Sequence, residues 1–497
     1  MSPTDAGRAA PGVQKMTPSE AFVETMVAQG VDTMFGIMGS AFMDAMDIFA
    51  PAGIRLIPVV HEQGAGQLAD GYARVSGRHG VLIGQNGPGI SSCVTAIAAA
   101  CGAHSPVIIV TPETGSMGMG LGGFQEAHQL PMFQEFIKYQ GQVVNPKRTA
   151  EFTARCFDRA ISEMGPTQLN IPRDYFYGEV SCEIPRPMRV ERGSGPQDAK
   201  IIQVEADHTN LGLVKKISLG IHGDAKSAAK ALLARIGGQV LACDASKAQR
   251  AATIAAKKAA WEQALDAWTH ETDAFSLGMI EENGQETLFS GGRYLHPRQV
   301  LRELEKAMPP QVMVSTDIGN INAVSNRYLR FDEPRSFFAP MSFGNCGDSL
   351  PTMTGAKVAA PDRPAVAYAG DGAWGMSMSQ IMTCVRHDIP VTAAVFHSRQ
   401  CGAEKKNQVD FYNCRFVAGE LDNQSFAGSA KAMGAEAIIV DQLEDLGPAL
   451  KRAIDLQMNQ KKTCVIEILC TREPGDPFRR DALSKPVRFL DKYKDYV

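Results

Sequence analysis

The stretch from Ala365 to Lys406, AVAYAGDGAWGMSMSQIMTCVRHDIPVTAAVFHSRQCGAEKK, limits the possible folds of this chain more than any other. Val366 to Ala369 and Val391 to Phe396 are apolar runs of strand length, separated by Gly370-Asp371-Gly372, a Met-rich helical segment and Pro390. This predicts a strand, a helix and a second strand parallel to the first. Open parallel sheets bind ligands at the carboxyl ends of their strands, where glycine lets the backbone approach a phosphate closely. Asp371 is therefore placed to hold a hard cation such as Mg²⁺, completed by phosphate oxygens and water. The same tripeptide also makes an ordinary β-turn. Ser398 stands 27 positions after Asp371, just past Phe396-His397, where the second strand is expected to finish beside the first.

At 497 residues the chain is longer than one core usually supports, so two to four domains are expected. A net charge of -4 without a long basic run gives no case for nucleic acid. The 11 cysteines include no C-x-x-C, which points to reduced thiols and a cytoplasmic protein rather than a disulfide or zinc framework. No apolar run reaches membrane-spanning length, and the polar first fifteen residues do not read as a signal peptide.

In the amino-terminal third, Thr17-Pro18-Ser19-Glu20 predicts a capped helix ending at Gly30. The strand IRLIPVV runs up to His61-Glu62, and QGAGQLADGYARVSG follows with small residues at helical spacing, suited to close packing on a sheet or a partner. Glu62 reads from position alone as a helix N-terminal carboxylate. VLIGQNGPGISSCVTAIAAA is a strand, the turn Asn86-Gly87-Pro88-Gly89 and a helix. Gly118, Gly120 and Gly123 satisfy G-x-G-x-x-G, but they do not directly follow the strand and no acidic residue closes a next strand, so a flexible site loop is the better reading.

After ERGSGPQ, only DAKIIQVEAD, KKISLGIHGDA and a helix from Lys226 to Ile236 precede a helical linker from Ala242 to Gly292. Trp261 and Trp268 read as packing anchors of that linker. HPRQVLRELEKAM then opens a last domain with the strand VMVSTDIGN and the turn SFGNCGDSLPTMTGAK. Lys405 and Lys406 read as an anion-attracting pair or as solvated surface.

Together these phrases resemble the thiamine diphosphate-dependent, acetolactate synthase-like enzyme family, whose signature is Gly-Asp-Gly followed at this spacing by a pair ending in Asn. The resemblance implies an α/β thiamine diphosphate-binding fold, with two doubly wound parallel-sheet domains flanking a shortened middle domain. It divides the chain into residues 15–187 (pyrimidine-binding), 188–292 (truncated middle domain and linker) and 293–497 (diphosphate-binding). It implies that Asp371, Ser398 and the carbonyl of Gln400 bind Mg²⁺. It makes Glu62 the catalytic residue, hydrogen-bonded to the aminopyrimidine of the cofactor. Asn86, Gly87, Pro88, Gly89, Asn320, Cys346, Gly370, Gly372 and Ala373 are implied cofactor neighbours. His61, Phe124, Gln125, Arg399 and Lys405 are implied on the substrate side.

HEQGAGQLADGYARVSG, GLGGFQEAHQLPMFQEF, GAEKKN and GDPFRRDAL look closest to the branch of the family that uses sulfoacetaldehyde and inorganic phosphate. That branch implies release of sulfite and acetyl phosphate, and a homodimer or homotetramer with the cofactor between subunits. Departures gather around the cofactor: Ser398 for Asn, Cys401 for Trp, Cys346 for a large apolar wedge, Asp348 for an aromatic, and ACGAHSP for an aromatic pair. Three readings stay open: an active acetyltransferase, a synthase of acetolactate type with another substrate range, and a weakened relative that only associates with other subunits.

Overall fold

The computed structural model describes residues 12–187, 202–205, 219–237, 244–270, 295–471, 488–490 and 492. The described chain enters through β1 (Gln14–Met16). Thr17 then accepts the Glu20 amide while the Glu20 carboxylate takes the Thr17 amide, a reciprocal cap that starts the helix Pro18–Ala28. Six parallel strands follow: β2 (Thr33–Gly36), β3 (Arg55–Pro58), β4 (Gly80–Ile83), β5 (Val107–Glu113), β6 (Tyr139–Gln142) and β7 (Thr167–Pro172). Their order across the sheet is β3-β2-β4-β5-β7-β6. Val107 to Val110 are buried on both faces, as expected of a parallel strand covered by helices. β8 (Val180–Cys182) returns antiparallel to β1. Both are three residues long, so no alternation in the sequence reveals them.

β9 (Ile202–Glu205) and β10 (Leu219–His222) pair in parallel and precede the helix Ala225–Ile236, which is capped by Asp224. These are the two strands and helix expected of a shortened unit. In the helix Asp244–His270, Trp268 stacks on Tyr328 at 5.6 Å, with Arg298 and Arg327 over its ring. Trp261 is instead half exposed, so only one of the two tryptophans is an anchor. The remainder of the expected linker, 242–243 and 271–292, lies outside the described residues.

The carboxy-terminal sheet contains β11 (Met313–Thr316), β12 (Phe337–Phe338), β13 (Ala365–Gly370), β14 (Thr392–His397), β15 (Glu436–Val440) and β16 (Cys464–Leu469). Its order, β12-β11-β13-β14-β16-β15, repeats the connectivity of the first sheet. In each, the order reverses beside the first strand, leaving a crevice at the strand ends where such sheets bind ligands.

The small residues after Glu62 have a definite partner. Helix Glu62–Ser76 packs on helix Ser349–Ala359 of the same chain with backbones nearly touching. A Cβ on Gly71 would overlap the Thr352 carbonyl, and one on Gly355 would overlap that of Leu68. Polar contacts fix the two domains further. Gln67 donates to Asp348 (3.2 Å), Arg335 to the Val75 carbonyl (2.8 Å) and Arg55 to the His387 carbonyl (3.1 Å).

Candidate active site

Gly370, the last residue of β13, pairs with Phe396 of β14, and Asp371 is the first residue of the helix Asp371–Ser377. Gly-Asp-Gly is thus a strand-to-helix junction and not a free-standing β-turn. Its buried carboxylate accepts Ser398 N (2.9 Å) and Ser398 Oγ (3.0 Å) at Oδ2, and Arg399 N (3.1 Å) at Oδ1. Burial pushes the Asp371 carboxyl up, while these donors and His397 oppose the rise. Arg399 adopts a left-handed conformation (φ 54), turning the chain around the strand end. The next residue, Gln400, is buried with its Oε1 lacking a hydrogen-bond partner. A Cβ on Gly402 would lie 3.2 Å from Asn320 Nδ2 and 3.5 Å from Gln400 Nε2, so the loop gathers both amides. A carboxylate, a hydroxyl and amide or carbonyl oxygens are hard donors, suited to Mg²⁺. Gly370 and Gly372 leave backbone exposed beside them.

At the neighbouring strand end, Asp317 accepts four backbone N–H groups: Ile318 (3.1 Å), Gly347 (2.9 Å), Asp348 (3.0 Å) and Ser349 (3.0 Å). Burial nevertheless pushes its carboxyl up to about 6. Asp317 fastens the turn containing Cys346 to β11. A Cβ on Gly347 would stand 3.8 Å from the Ala373 carbonyl, so this turn abuts the Asp371 helix. The Cys346 thiol is pushed up to about 11, mainly by burial. Asp348, which stands where the resemblance implies an aromatic, faces neither solvent nor open surface. It is buried and accepts from Gln67 (3.2 Å), Asn345 (3.2 Å) and Thr352 (3.0 Å). Burial and the charges of Asp70 and Asp317 push its carboxyl up to about 7.

Glu62 opens its helix half-buried, and exposed His61 is the N-cap, its Nδ1 accepting Gln63 N at 3.2 Å. A Cβ on Gly89 would lie 3.0 Å from Glu62 Oε1, so this turn leaves room for the carboxylate only because it lacks a side chain. Gly87 has φ 71, and its N–H donates to Gln129 Oε1 (3.1 Å). Asn86 donates to the Gln125 carbonyl (2.8 Å), and Gln85 donates to Gln125 Oε1 (2.8 Å). Behind the turn, Gln129, Asn170, Thr111 and Gln168 form a buried chain of hydrogen bonds.

Gln129, Asn170, Gln168 and Asp317 escape sequence reasoning because each sits in an otherwise ordinary strand, loop or short helix. Gln168 and Asn170 within the strand QLNIP are the visible anomalies, polar residues in a buried run.

The remaining candidates divide. Phe124 is 89% exposed, in a loop with exposed Met117 and Leu121. The glycines of that loop face a carboxylate: Glu126 accepts the amides of Gly120 and Gly123, which fits a loop and not a dinucleotide cradle. Lys405 is not solvated surface. It is 1% exposed, ion-paired with Glu420 and 5.0 Å from the Phe416 ring centre. Lys406 pairs with Asp410 (2.7 Å). The structure therefore brings together Glu62, Asn86, Gly87 and Gly89 on one sheet, and Asp371, Ser398, Arg399, Gln400 and Asn320 on the other.

Two matching sheets, one with a Glu against a glycine turn and one with a buried Asp among oxygen donors, define a thiamine diphosphate enzyme. Residues 16–132 match the family described as thiamine pyrophosphate enzyme, N-terminal TPP binding domain, and residues 317–468 match its C-terminal TPP binding domain. Within this class the chain belongs to the sulfoacetaldehyde acetyltransferase family. It is 64% identical to the sulfoacetaldehyde acetyltransferase of Alcaligenes xylosoxydans xylosoxydans, over 100% of both chains, and 60% identical to that of Castellaniella defragrans, over 99% and 100%. The acetolactate synthase large subunit of Corynebacterium glutamicum is 24% identical, over 89% of this chain and 85% of its own. The Alcaligenes alignment spans 603 positions against 497 residues here, so at least 106 positions have no counterpart in this chain.

Proposed function

We propose that this chain is a thiamine diphosphate- and Mg²⁺-dependent sulfoacetaldehyde acetyltransferase, converting sulfoacetaldehyde and inorganic phosphate to acetyl phosphate and sulfite. The observation that carries this reading is the 64% identity, over both whole chains, to a protein of that name. Overall, the C–S bond breaks with its electron pair leaving on sulfite. The former aldehyde carbon loses its hydrogen as a proton, becomes the acetyl carbonyl and takes a phosphate oxygen; the methylene that loses sulfite gains a proton to become the methyl group, and the proton released from phosphate appears on sulfite.

The residues present fit the cofactor and metal. Gln400 Oε1 is a buried oxygen without a partner two residues past Ser398, and the glycines at 89, 370 and 372 keep side chains away from both strand ends. Asp371, Ser398 and Gln400 would hold Mg²⁺, with Asn320, Gly370, Gly372, Ala373 and the Cys346 turn beside the diphosphate. Glu62 and the turn Asn86 to Gly89, including Pro88, would meet the aminopyrimidine. When bound, thiamine diphosphate supplies the carbanion and the electron sink for bond making and breaking at the aldehyde carbon. Glu62 holds and returns the aminopyrimidine proton, and the hydrogen-bond chain behind Gly87 fixes the turn against it. Gln125 and Phe124, on the loop bonded to Asn86, face the substrate side with His61. Arg399 serves the anionic groups of the substrates, whereas the charge of Lys405 is already offset by Glu420.

This account takes the unmatched positions as the middle domain, so that residues 15–187 and 293–497 act around a shortened 188–292. Two chains then complete each site, Glu62 from one and Asp371 from the other, in a homodimer or homotetramer. The setting is cytoplasmic sulfonate breakdown, including that of taurine. In support, none of the described helices is long and apolar enough to cross a membrane, and none of the described cysteines is in a disulfide. Purified protein offered sulfoacetaldehyde with phosphate, or pyruvate alone, separates the readings. Sulfite with equimolar acetyl phosphate is expected. Acetolactate from pyruvate as the only product would favour the synthase reading instead.

A further inference from the structure

Behind the Asp371 carboxylate lies a buried pair that the site described above does not use. His397 ends β14 and Glu467 lies in β16, the adjacent strand, with Glu467 in register with Val395. Both side chains are buried. His397 Nδ1 is 2.6 Å from Glu467 Oε1, and the other oxygen of Glu467 accepts Ala427 N (2.7 Å) and Ser425 Oγ (2.8 Å). A carboxylate held by these donors is an acceptor toward the ring, so Nδ1 carries the hydrogen in this contact. The imidazole also rests on Phe426, with ring centres 4.7 Å apart. Two sides of the ring are thereby fixed, and Nε2 is left 3.5 Å from Asp371 Oδ1. Side chains from two neighbouring strands, β16 and β14, and from the first residue of the helix that follows β13 thus form a line, Glu467 to His397 to Asp371.

We infer that His397, oriented by Glu467, is a positioning residue for Asp371 that holds its carboxylate in the place where Mg²⁺ is taken up. The inference rests on the reading of Asp371 as a metal ligand. Its physical basis is that a ligand carboxylate binds a small, geometrically demanding cation well only if its orientation is set in advance. Ser398 makes this support more important. Its short hydroxyl contacts Asp371 Oδ2, whereas His397 Nε2 packs 3.5 Å from the other oxygen, Oδ1. Removing an outer-shell partner of this kind lowers metal affinity by about 10- to 100-fold.

The test is Mg²⁺ titration of the full chain with thiamine diphosphate present and substrate absent, followed by calorimetry. It compares wild type, Glu467→Gln, His397→Gln, the double variant and Asp371→Asn, with thermal melting of each metal-free protein alongside. Glu467→Gln and His397→Gln should each weaken Mg²⁺ binding about 10- to 100-fold, with the double variant no worse than the weaker single one, because the two act as a unit. If both single variants bind Mg²⁺ like wild type while Asp371→Asn does not, the pair is only a core fixture and the inference is overturned. If Asp371→Asn also binds like wild type, the metal-ligand reading fails, and this inference with it. If binding weakens only in parallel with a lower melting temperature, the role is structural and the inference is again overturned.

Discussion

At Ser398 the question is how much a short ligand gives up. Its Oγ donates to Asp371 Oδ2 at 3.0 Å, so the hydroxyl serves the carboxylate. Asn at this position would bring a longer carbonyl toward the cation. Ser398→Asn is expected to lower the Mg²⁺ concentration for half-maximal cofactor binding several-fold, read by titration; an unchanged or higher value would show that Ser398 is not beside the metal. Asp348 makes a different prediction. Its carboxyl titrates near 3.8 when unfolded and is pushed up to about 7 when folded. The folded state therefore binds the proton more tightly, and the stability linked to this group is present below about pH 4 and lost as pH rises through 7. Asp348→Asn keeps the shape without the charge. It should raise the melting temperature by several degrees at pH 8 and change it little at pH 4, leaving a flatter pH profile.

Among the elements, the paired helices Glu62–Ser76 and Ser349–Ala359 decide whether the Glu62 domain is held rigidly on its neighbour. Gly71→Ala would push a methyl into the Thr352 carbonyl, where backbone and not a flexible side chain must move. A loss of about 3 kcal/mol is expected, measured by denaturant unfolding. Gly375→Ala, whose Cβ would meet nothing within 4 Å, should be nearly neutral. Sequence pattern made β4, β5, β13 and β14 readable as short apolar runs beside glycine or proline, and it located Asp371 and Glu62 at strand ends, whereas β6 (YQGQ) and the two-residue β12 carry no such pattern. It also showed that helix Glu62–Ser76 must pack closely, though not against which element. Residues whose roles depend on long-range neighbours stayed hidden. Asp317 acts through backbone amides some thirty residues away, and Lys405 looks like surface until Glu420 folds over it. Asp348 looked misplaced until Gln67, nearly three hundred residues earlier, supplied a donor.

For the whole molecule, the account places each site between two chains. Mixing inactive Glu62→Gln with inactive Asp371→Asn subunits under exchange conditions should then restore about a quarter of wild-type activity, since half the random dimers are mixed and each has one intact site. No recovery, with exchange verified, would place the site within one chain. The region between the two sheets bears on the same question, since β10 and the helix Ala225–Ile236 are mostly exposed. The most direct test of the central claim is sulfite and acetyl phosphate release from sulfoacetaldehyde, with thiamine diphosphate, Mg²⁺ and phosphate omitted in turn and Glu62→Gln as control. The account predicts release that requires all three and falls at least about 100-fold in the variant. Folded protein that releases no sulfite with all three present would contradict it.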